Sequence, residues 1–207
     1  QLTPRERLMH LLDSGMPFLE LANMGGFLLD VPDREKSVPG ASLISGIGFI
    51  NGVRCMVTVD DSGIKAGAMT DGWGEKFTRA QDIALQQKLP FVHLVESAGA
   101  DLPRYQVEGW LNFGRLFGNL AKLSAAGLPT IAVLHGASTA GGAYMPGLSD
   151  YVVAIKGRGR AFLAGPALLK AATGEEADEE ELGGATMHAT VSGLAEYLAE
   201  DDLSGLL

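Results

Sequence analysis

The stretch "TIAVLHGASTAGGAYMPGLSD", residues 130–150, decides how the fold is interpreted, because two adjacent glycines stand where an apolar run gives way to a segment that can be helical. The run "TIAVLHG" at 130–136 is typical of a buried strand. The first N–H groups of a helix have no acceptor within the helix and carry a partial positive charge, and glycine lets a ligand approach the backbone closely. The junction therefore predicts either a tight turn or a place where bare N–H groups face something negative.

A second glycine-rich stretch follows another apolar run. "ESAGADL", residues 96–102, comes directly after "PFVHLV" at 90–95. In open α/β sheets, ligands bind at the carboxyl ends of the strands, so one N–H group from each stretch could converge on a single carbonyl oxygen. Such an arrangement is an oxyanion hole. Glycine turns that only serve helix packing would have the same spacing, so the residues alone leave both interpretations open.

The rest of the chain predicts an α/β fold of strand–loop–helix units. A hairpin is expected at 43–50 and 54–60, because the two runs are joined by Asn51-Gly52, a strong turn signal. Helices are expected at 3–13, 75–88, 111–127, 165–174 and 192–202, with a short helix at 141–149. Buried strands are expected at 89–97, 130–136 and 150–157.

Composition narrows the class of partner. The 207 residues carry a formal net charge of −9, which argues against nucleic acid or an anionic membrane as the main partner. No apolar run reaches the roughly 18 residues of a membrane span. The single cysteine, Cys55, excludes an internal disulfide, suits a reducing cytosol and is expected to be buried in a strand. Glycine is the unusual residue, with 28 of 207, which predicts many tight corners or a backbone brought close to a ligand.

The common side-chain catalysts are not evident. The sequence has no P-loop, no nucleophile elbow and no paired cysteines or histidine motif that would hold a metal. His93 and His135 fall within apolar strands and are expected in the core, with a catalytic role as the alternative. His188 is expected as a solvated turn residue. The two glycine-rich stretches therefore remain the strongest candidates for a site.

Several long stretches carry a family resemblance: "ESAGADLPR" at 96–104, "AAGLPTIAVLHGASTAGGAYMPGLSD" at 125–150 and "FLAGPALLKAATGEEADEEELGGATMHATVSGLAEYLAEDD" at 162–202. They resemble the carboxyltransferase β subunit of biotin-dependent acyl-CoA carboxylases, of the methylcrotonyl-, geranyl- and propionyl-CoA carboxylase type. "RERLMHLLDSGMPFLELA" at 5–22 and "IKAGAMT" at 64–70 are also similar to it. The resemblance covers nearly the whole chain.

The resemblance implies a crotonase-like α/β fold, which is a superhelix of ββα units. It implies that residues 1–207 form the N-terminal, acyl-CoA-binding domain and that the C-terminal, carboxybiotin-binding domain is absent from this chain. It assigns one pair of N–H donors to Gly99 and Ala100, and a second set to Gly141, Gly142 and Ala143. These donors would hold the thioester carbonyl of the substrate while its α-carbon becomes an enolate.

The resemblance also implies which residues surround the acyl-CoA. These are Lys65, Gly67, Ala98, Phe162, Ala164, Gly165 and Pro166. Ala98 stands where the family usually has glycine, so the turn must be one that alanine can adopt. Asp101 stands where the family has arginine or asparagine, and it is expected to face away from CoA or to meet Arg104.

The implied cofactor is biotin, as carboxybiotin on a carrier protein, with a CoA ester as substrate and no metal. The implied partners are a biotin carboxylase or biotin carrier subunit, the C-terminal carboxyltransferase half and further copies of the chain, in the cytoplasm or mitochondrial matrix. Neither nucleic acid nor a membrane is expected. Two alternatives remain open: a non-catalytic half-subunit that scaffolds such a complex, and another crotonase-type acyl-CoA enzyme such as a decarboxylase.

Overall fold

A mixed sheet organises the chain. The computed structural model describes residues 1–101 and 107–207. The strands are β1 (Leu19–Glu20), β2 (Leu43–Ile50), β3 (Val53–Asp60), β4 (Phe91–Ser97), β5 (Thr130–Thr139), β6 (Tyr151–Ile155), β7 (Arg160–Phe162) and β8 (Tyr197–Ala199). The helices are α1 (Pro4–Leu11), α2 (Asp71–Gln87), α3 (Val107–Ala125), α4 (Gly141–Gly147), α5 (Pro166–Thr173), α6 (Glu179–Gly183) and α7 (Ala185–Met187). A 3₁₀ turn spans Lys65–Gly67, and a π-helical turn spans His188–Ser192.

The strand order places the ends of the central strands together. The sheet runs β1-β2-β3-β4-β5-β6-β8, and β7 pairs with the far end of β5. β1, β2 and β3 pair antiparallel, whereas β3 through β6, and β8 beyond them, pair in parallel. Because parallel strands end at the same edge, the segments that follow β3, β4 and β5 all emerge on one side of the sheet.

The predicted hairpin is confirmed and has the expected turn chemistry. β2 and β3 pair from Leu43↔Asp60 to Ile50↔Val53. Asn51 and Gly52 both have left-handed φ, at 50° and 76°. Two successive left-handed residues give the turn a twist that matches the twist of the flanking strands.

The core lies on both faces of the sheet. On one face, α2 buries Trp73, Phe77, Ala80 and Ala84, which recur every three or four residues along one side of the helix, against β4 and α3. The Thr70 hydroxyl caps this helix by accepting the Trp73 N–H. On the other face, apolar residues of β3, β4 and β5 pack with α1 and the last residues of the chain. Cys55 is buried there, as expected.

Two predictions about the C-terminal third are wrong. The helix expected at 192–202 is replaced by β8, which pairs with β6 from Val153↔Tyr197 to Ile155↔Ala199. Pairing at the open edge of β6 outweighs the helical spacing of the apolar residues, which is a local signal. His188 is buried, because its Nε2 lies 2.8 Å from the Ala161 carbonyl oxygen and its Nδ1 lies 2.7 Å from Ser192 Oγ.

His135 is fully buried in β5, as predicted, and makes stability depend on pH. Its Nδ1 lies 2.7 Å from Asp202 Oδ1. Burial lowers the pKa of the imidazole from its ordinary 6.5 to about 4; the charge of Arg7 adds to this, and Asp202 and Glu96 oppose it. Between these pH values the unfolded chain therefore binds more protons than the folded one. The free energy of unfolding therefore decreases as the pH falls from 6.5 to about 4.

We expect His135→Asn to flatten this part of the pH profile, because the asparagine amide can still donate to Asp202 and does not titrate. Urea unfolding at several pH values between 7 and 4 measures the effect. The control is His10→Asn, which changes an exposed histidine on α1 and should leave the profile as it is. An unchanged loss of stability in His135→Asn would contradict this assignment.

Candidate functional site

Three backbone segments meet at the carboxyl edge of the sheet. They are the Lys65–Gly67 turn after β3, the turn at 97–101 after β4, and the turn at 139–143 after β5. The Met69 N–H donates to the Gly99 carbonyl at 2.8 Å, and the Ala98 N–H donates to the Ala66 carbonyl at 3.1 Å. These two bonds tie the first segment to the second.

The two glycine-rich turns pack directly against each other. A Cβ on Gly99 would lie 2.7 Å from the Thr139 carbonyl oxygen, and Gly99 has a φ of 82°. A Cβ on Gly142 would lie 3.0 Å from the Ser97 Cβ. Glycine is therefore required at Gly99 both for its conformation and for the contact. The two turns lie next to each other because the strands that precede them, β4 and β5, pair in parallel.

The donors in the turns fall into two groups. The Gly99 N–H donates to Ser97 Oγ at 3.2 Å, and the Ala143 N–H donates to the Ala140 carbonyl at 3.0 Å. Within the described residues, the N–H of Ala100 has no acceptor, and neither do those of Gly141 and Gly142, the first two residues of α4. Each turn thus has at least one N–H with no acceptor among the described residues; Ala100 and Gly141 are partly exposed, and Gly142 is buried.

Ala140 holds the second turn in a strained conformation. Its φ of 50° and ψ of −117° are unusual for a residue with a Cβ, and such outliers cost on the order of 1–3 kcal/mol. Its N–H donates to the Phe162 carbonyl at 3.0 Å, and the neighbouring Thr139 pairs with Phe162 in the β5–β7 ladder. This pairing stabilises the conformation of Ala140 and fixes the direction in which α4 begins.

Ser97 connects all three segments, a role that is not predicted from the sequence. Its hydroxyl donates to the Gly67 carbonyl at 2.8 Å and accepts the Gly99 N–H, while its Cβ faces Gly142. The side chain is buried, with 1% of its surface exposed. The available signal was its position as the last residue of β4, immediately before the first glycine-rich turn.

The predicted substrate-binding residues lie along the same edge. Lys65 is partly exposed, and its Nζ lies 3.1 Å from Asp101 Oδ2, so Asp101 meets this lysine; Arg104, its expected partner, lies outside the described residues. Gly67 has a φ of 72° and lies against the Glu96 carbonyl. Ala98 has a negative φ, so the left-handed residue of this turn is Gly99. The remaining four are Phe162 at the end of β7, Ala164, Gly165 as N-cap of α5, and Pro166 as its first residue.

Neither a metal centre nor a membrane span is found in the part of the chain that the structure describes. No group of three or more histidine, cysteine, aspartate or glutamate side chains there could hold a metal ion. Among the described helices, none combines the length and apolar character needed to cross a membrane.

Comparison with known proteins identifies the family. The mixed sheet with helices packed on it defines an α/β domain. The family model of the carboxyl transferase domain matches residues 1–207. The chain belongs to the carboxyl transferase domain family.

Its relatives include the "probable biotin-dependent acyl-coenzyme A carboxylase beta2 subunit" of Mycobacterium tuberculosis, 50% identical over 99% of this chain and 37% of that protein. The crystal structure of the β subunit of Pseudomonas aeruginosa geranyl-CoA carboxylase superposes with a TM-score of 0.89 at 50% identity, covering 100% of this chain and 37% of that one. Transcarboxylase 12S, solved as a hexamer with methylmalonyl-coenzyme A and methylmalonic acid bound, has a TM-score of 0.89 at 30% identity and is covered to 40%.

These likenesses confirm the predicted crotonase-like α/β fold. The chain spans little more than a third of the length of the relatives it matches.

Proposed function

We propose that this chain is the acyl-CoA-binding domain of the carboxyltransferase of a biotin-dependent acyl-CoA carboxylase. One observation carries the proposal: the free N–H of Ala100 and those of Gly141 and Gly142 lie on two turns in direct contact. The family supports it, because relatives in that family are subunits of such carboxylases.

The free N–H groups act on the thioester carbonyl oxygen of the substrate. The carbon that will be carboxylated loses its proton to an acceptor that the resemblance places with the biotin. Negative charge then moves onto the thioester oxygen, and hydrogen bonds to it strengthen. Donors fixed by the fold are most effective in this role, because they need no reorganisation when the charge develops. The partial positive charge at the start of α4 adds to the effect. Only interactions that strengthen in this way accelerate the chemical step.

Carboxybiotin, when bound, supplies the carboxyl group that the enolate receives. The free amides of this domain are matched to one developing oxyanion, that of the thioester. The resemblance assigns the biotin to the C-terminal carboxyltransferase half, and the roles derived for this chain therefore concern the acyl-CoA alone.

The other residues at the edge bind the rest of the acyl-CoA. Lys65, partly exposed beside Asp101, offers a cation to the phosphates of CoA. Gly67 has no side chain and Ala98 has a small one, so the pantetheine can pass close to the backbone at these residues. Phe162, Ala164, Gly165 and Pro166 stand beyond the second turn and contact the acyl end.

A partner domain covers this edge in the complete enzyme. α5 has no buried residue; Leu163, which precedes it, is 64% exposed, and Leu168 within it is 61% exposed. The proposed occupant is the C-terminal carboxyltransferase half, because the relatives are more than twice as long as this chain. Further copies of the chain and a biotin carrier subunit complete the assembly, in line with the hexamer of transcarboxylase 12S.

The test is reconstitution. The chain is combined with its C-terminal half and a carboxylated biotin carrier, and a panel of acyl-CoA esters is assayed for carboxylated product. We expect product only when carboxybiotin is present, and calorimetry should show CoA ester binding. Binding of no CoA ester would favour the scaffold alternative, and turnover of a malonyl-type CoA without biotin would favour a decarboxylase.

A further inference from the structure

A buried carboxylate stands behind the first amide turn. Asp60 is the last residue of β3, and none of its surface is exposed. Its Oδ1 accepts the Trp73 indole N–H at 2.8 Å. Its Oδ2 accepts the Glu96 backbone N–H at 3.1 Å and lies 3.1 Å from His93 Nε2. Three donors thus surround one carboxylate, which offsets the cost of removing it from water.

The residues that hold Asp60 are themselves fixed by packing. The Trp73 ring stacks on Phe77 at a centroid distance of 4.6 Å, and Phe77 lies 4.8 Å from the His93 ring. Trp73 and Phe77 are fully buried. The carboxylate therefore has little freedom to move, and neither has any group bonded to it.

The bond to Glu96 falls where the regular sheet ends. Pairing between β3 and β4 stops at Val59↔Leu94, and the β4–β5 register shifts between Val95 and Ser97. Here the Asp60 side chain, in place of a strand carbonyl, accepts the Glu96 N–H. The following residue is Ser97, which bonds both Gly67 and Gly99. Asp60 thus fixes the peptide from which the first turn departs.

We propose that Asp60 is a positioning residue for the Ala100 N–H donor, acting through Glu96 and Ser97. This inference rests on the proposed function, in which Ala100 donates to the substrate thioester. Asp60 lies beneath the turn and does not touch the substrate. Asp60 contributes by fixing the direction of the turn and hence the position of the Ala100 N–H. This position matters because a displacement of about 1 Å in such a donor can lower the rate as much as 100-fold.

Asp60→Asn tests the role with little change in size. Asparagine has a single acceptor oxygen, so its NH₂ group must face either the Trp73 N–H or the Glu96 N–H. The readout is the carbonyl stretching frequency of bound 3-methylcrotonyl-CoA labelled with ¹³C at the thioester, or of the acyl-CoA that the panel identifies. We expect the assembled enzyme to lower this frequency relative to free substrate. The folded Asn variant should lose much of that shift, with kcat reduced about 10- to 100-fold and KM changed little.

A second variant tests for rescue. In Asp60→Asn combined with Trp73→Phe, the NH₂ group no longer faces an indole N–H, and the amide oxygen can turn to Glu96. We expect the double variant to recover most of the frequency shift. If the single Asn variant is unfolded, Asp60→Ser, which loses the two-oxygen acceptor, replaces it in the same measurement.

The matched control is Asp150→Asn, since Asp150 also accepts three hydrogen bonds, from Thr130 N–H, Thr130 Oγ1 and Ser124 Oγ, at the opposite end of β5. It should lower stability and leave the carbonyl frequency unchanged. A folded Asp60 variant that keeps the full shift would overturn the positioning role. Absence of any shift in the unmodified enzyme would instead overturn the proposed function, so the two failures are distinguishable.

Discussion

Replacing Gly141 by proline is expected to lower kcat for carboxyl transfer about 100- to 1,000-fold, the usual cost of removing one oxyanion donor. Gly141 is the first residue of α4, where proline is tolerated because that N–H has no helical acceptor. The substitution removes the donor. Thermal unfolding shows whether the start of the helix is kept, because the φ of 50° and ψ of −117° at Ala140 lie outside the range that a following proline favours. KM for the acyl-CoA should change little, because the bond strengthens only as the enolate forms.

Gly141→Ala is the matched control, because it keeps the N–H and adds a similar bulk at Cβ. That Cβ would lie 3.6 Å from Met69 Sδ, an ordinary contact. Gly142 offers no such pair, since its Cβ would press on Ser97. Steady-state kinetics and thermal unfolding of both variants separate lost catalysis from lost structure. Equal kcat in the proline and alanine variants would remove Gly141 from the set of donors.

Gly99→Ala should destabilise the fold by about 2–5 kcal/mol and abolish most of the turnover. One part of the cost is conformational, because the φ of 82° is unfavourable for alanine by roughly 1–2 kcal/mol. The other part is the contact at 2.7 Å between the new Cβ and the Thr139 carbonyl oxygen, since overpacking costs about 1–3 kcal/mol. The turns would have to separate, which moves Ala100 away from Gly141.

Gly127→Ala isolates the conformational part. Gly127 has a φ of 70°, and nothing lies within 4 Å of the position its Cβ would take. Its substitution should cost only roughly 1–2 kcal/mol and leave turnover unchanged. Chemical unfolding of both variants gives the difference. If Gly99→Ala is no more destabilising than Gly127→Ala, the two turns are not in the contact described.

The parts of the fold that the sequence predicts are those fixed by local chemistry. Asn51-Gly52 specifies its hairpin because both residues accept left-handed φ. The apolar runs before Gly99 and Gly141 predict strand ends at one edge, and parallel pairing then brings the two turns together. Resemblance adds the crotonase-like fold and the family.

The parts that the sequence does not predict depend on residues distant along the chain. Asp60, Trp73 and Glu96 belong to three separate elements, and only the folded sheet brings them together. β8 forms because β6 has an open edge with which residues 197–199 can pair. The helical spacing of apolar residues at 192–202 gives no sign of this pairing. The buried His188 forms a hydrogen bond with the Ala161 carbonyl, which is 27 residues away in the sequence.

In the proposed function, backbone amides from two touching turns bind the thioester oxygen. A structure of the assembled enzyme with an intact acyl-CoA bound tests this directly. We expect the thioester oxygen to lie about 2.7–3.1 Å from the N–H nitrogen of Ala100 and from that of Gly141 or Gly142. An acyl-CoA whose thioester lies elsewhere, with these amides facing water, would contradict it.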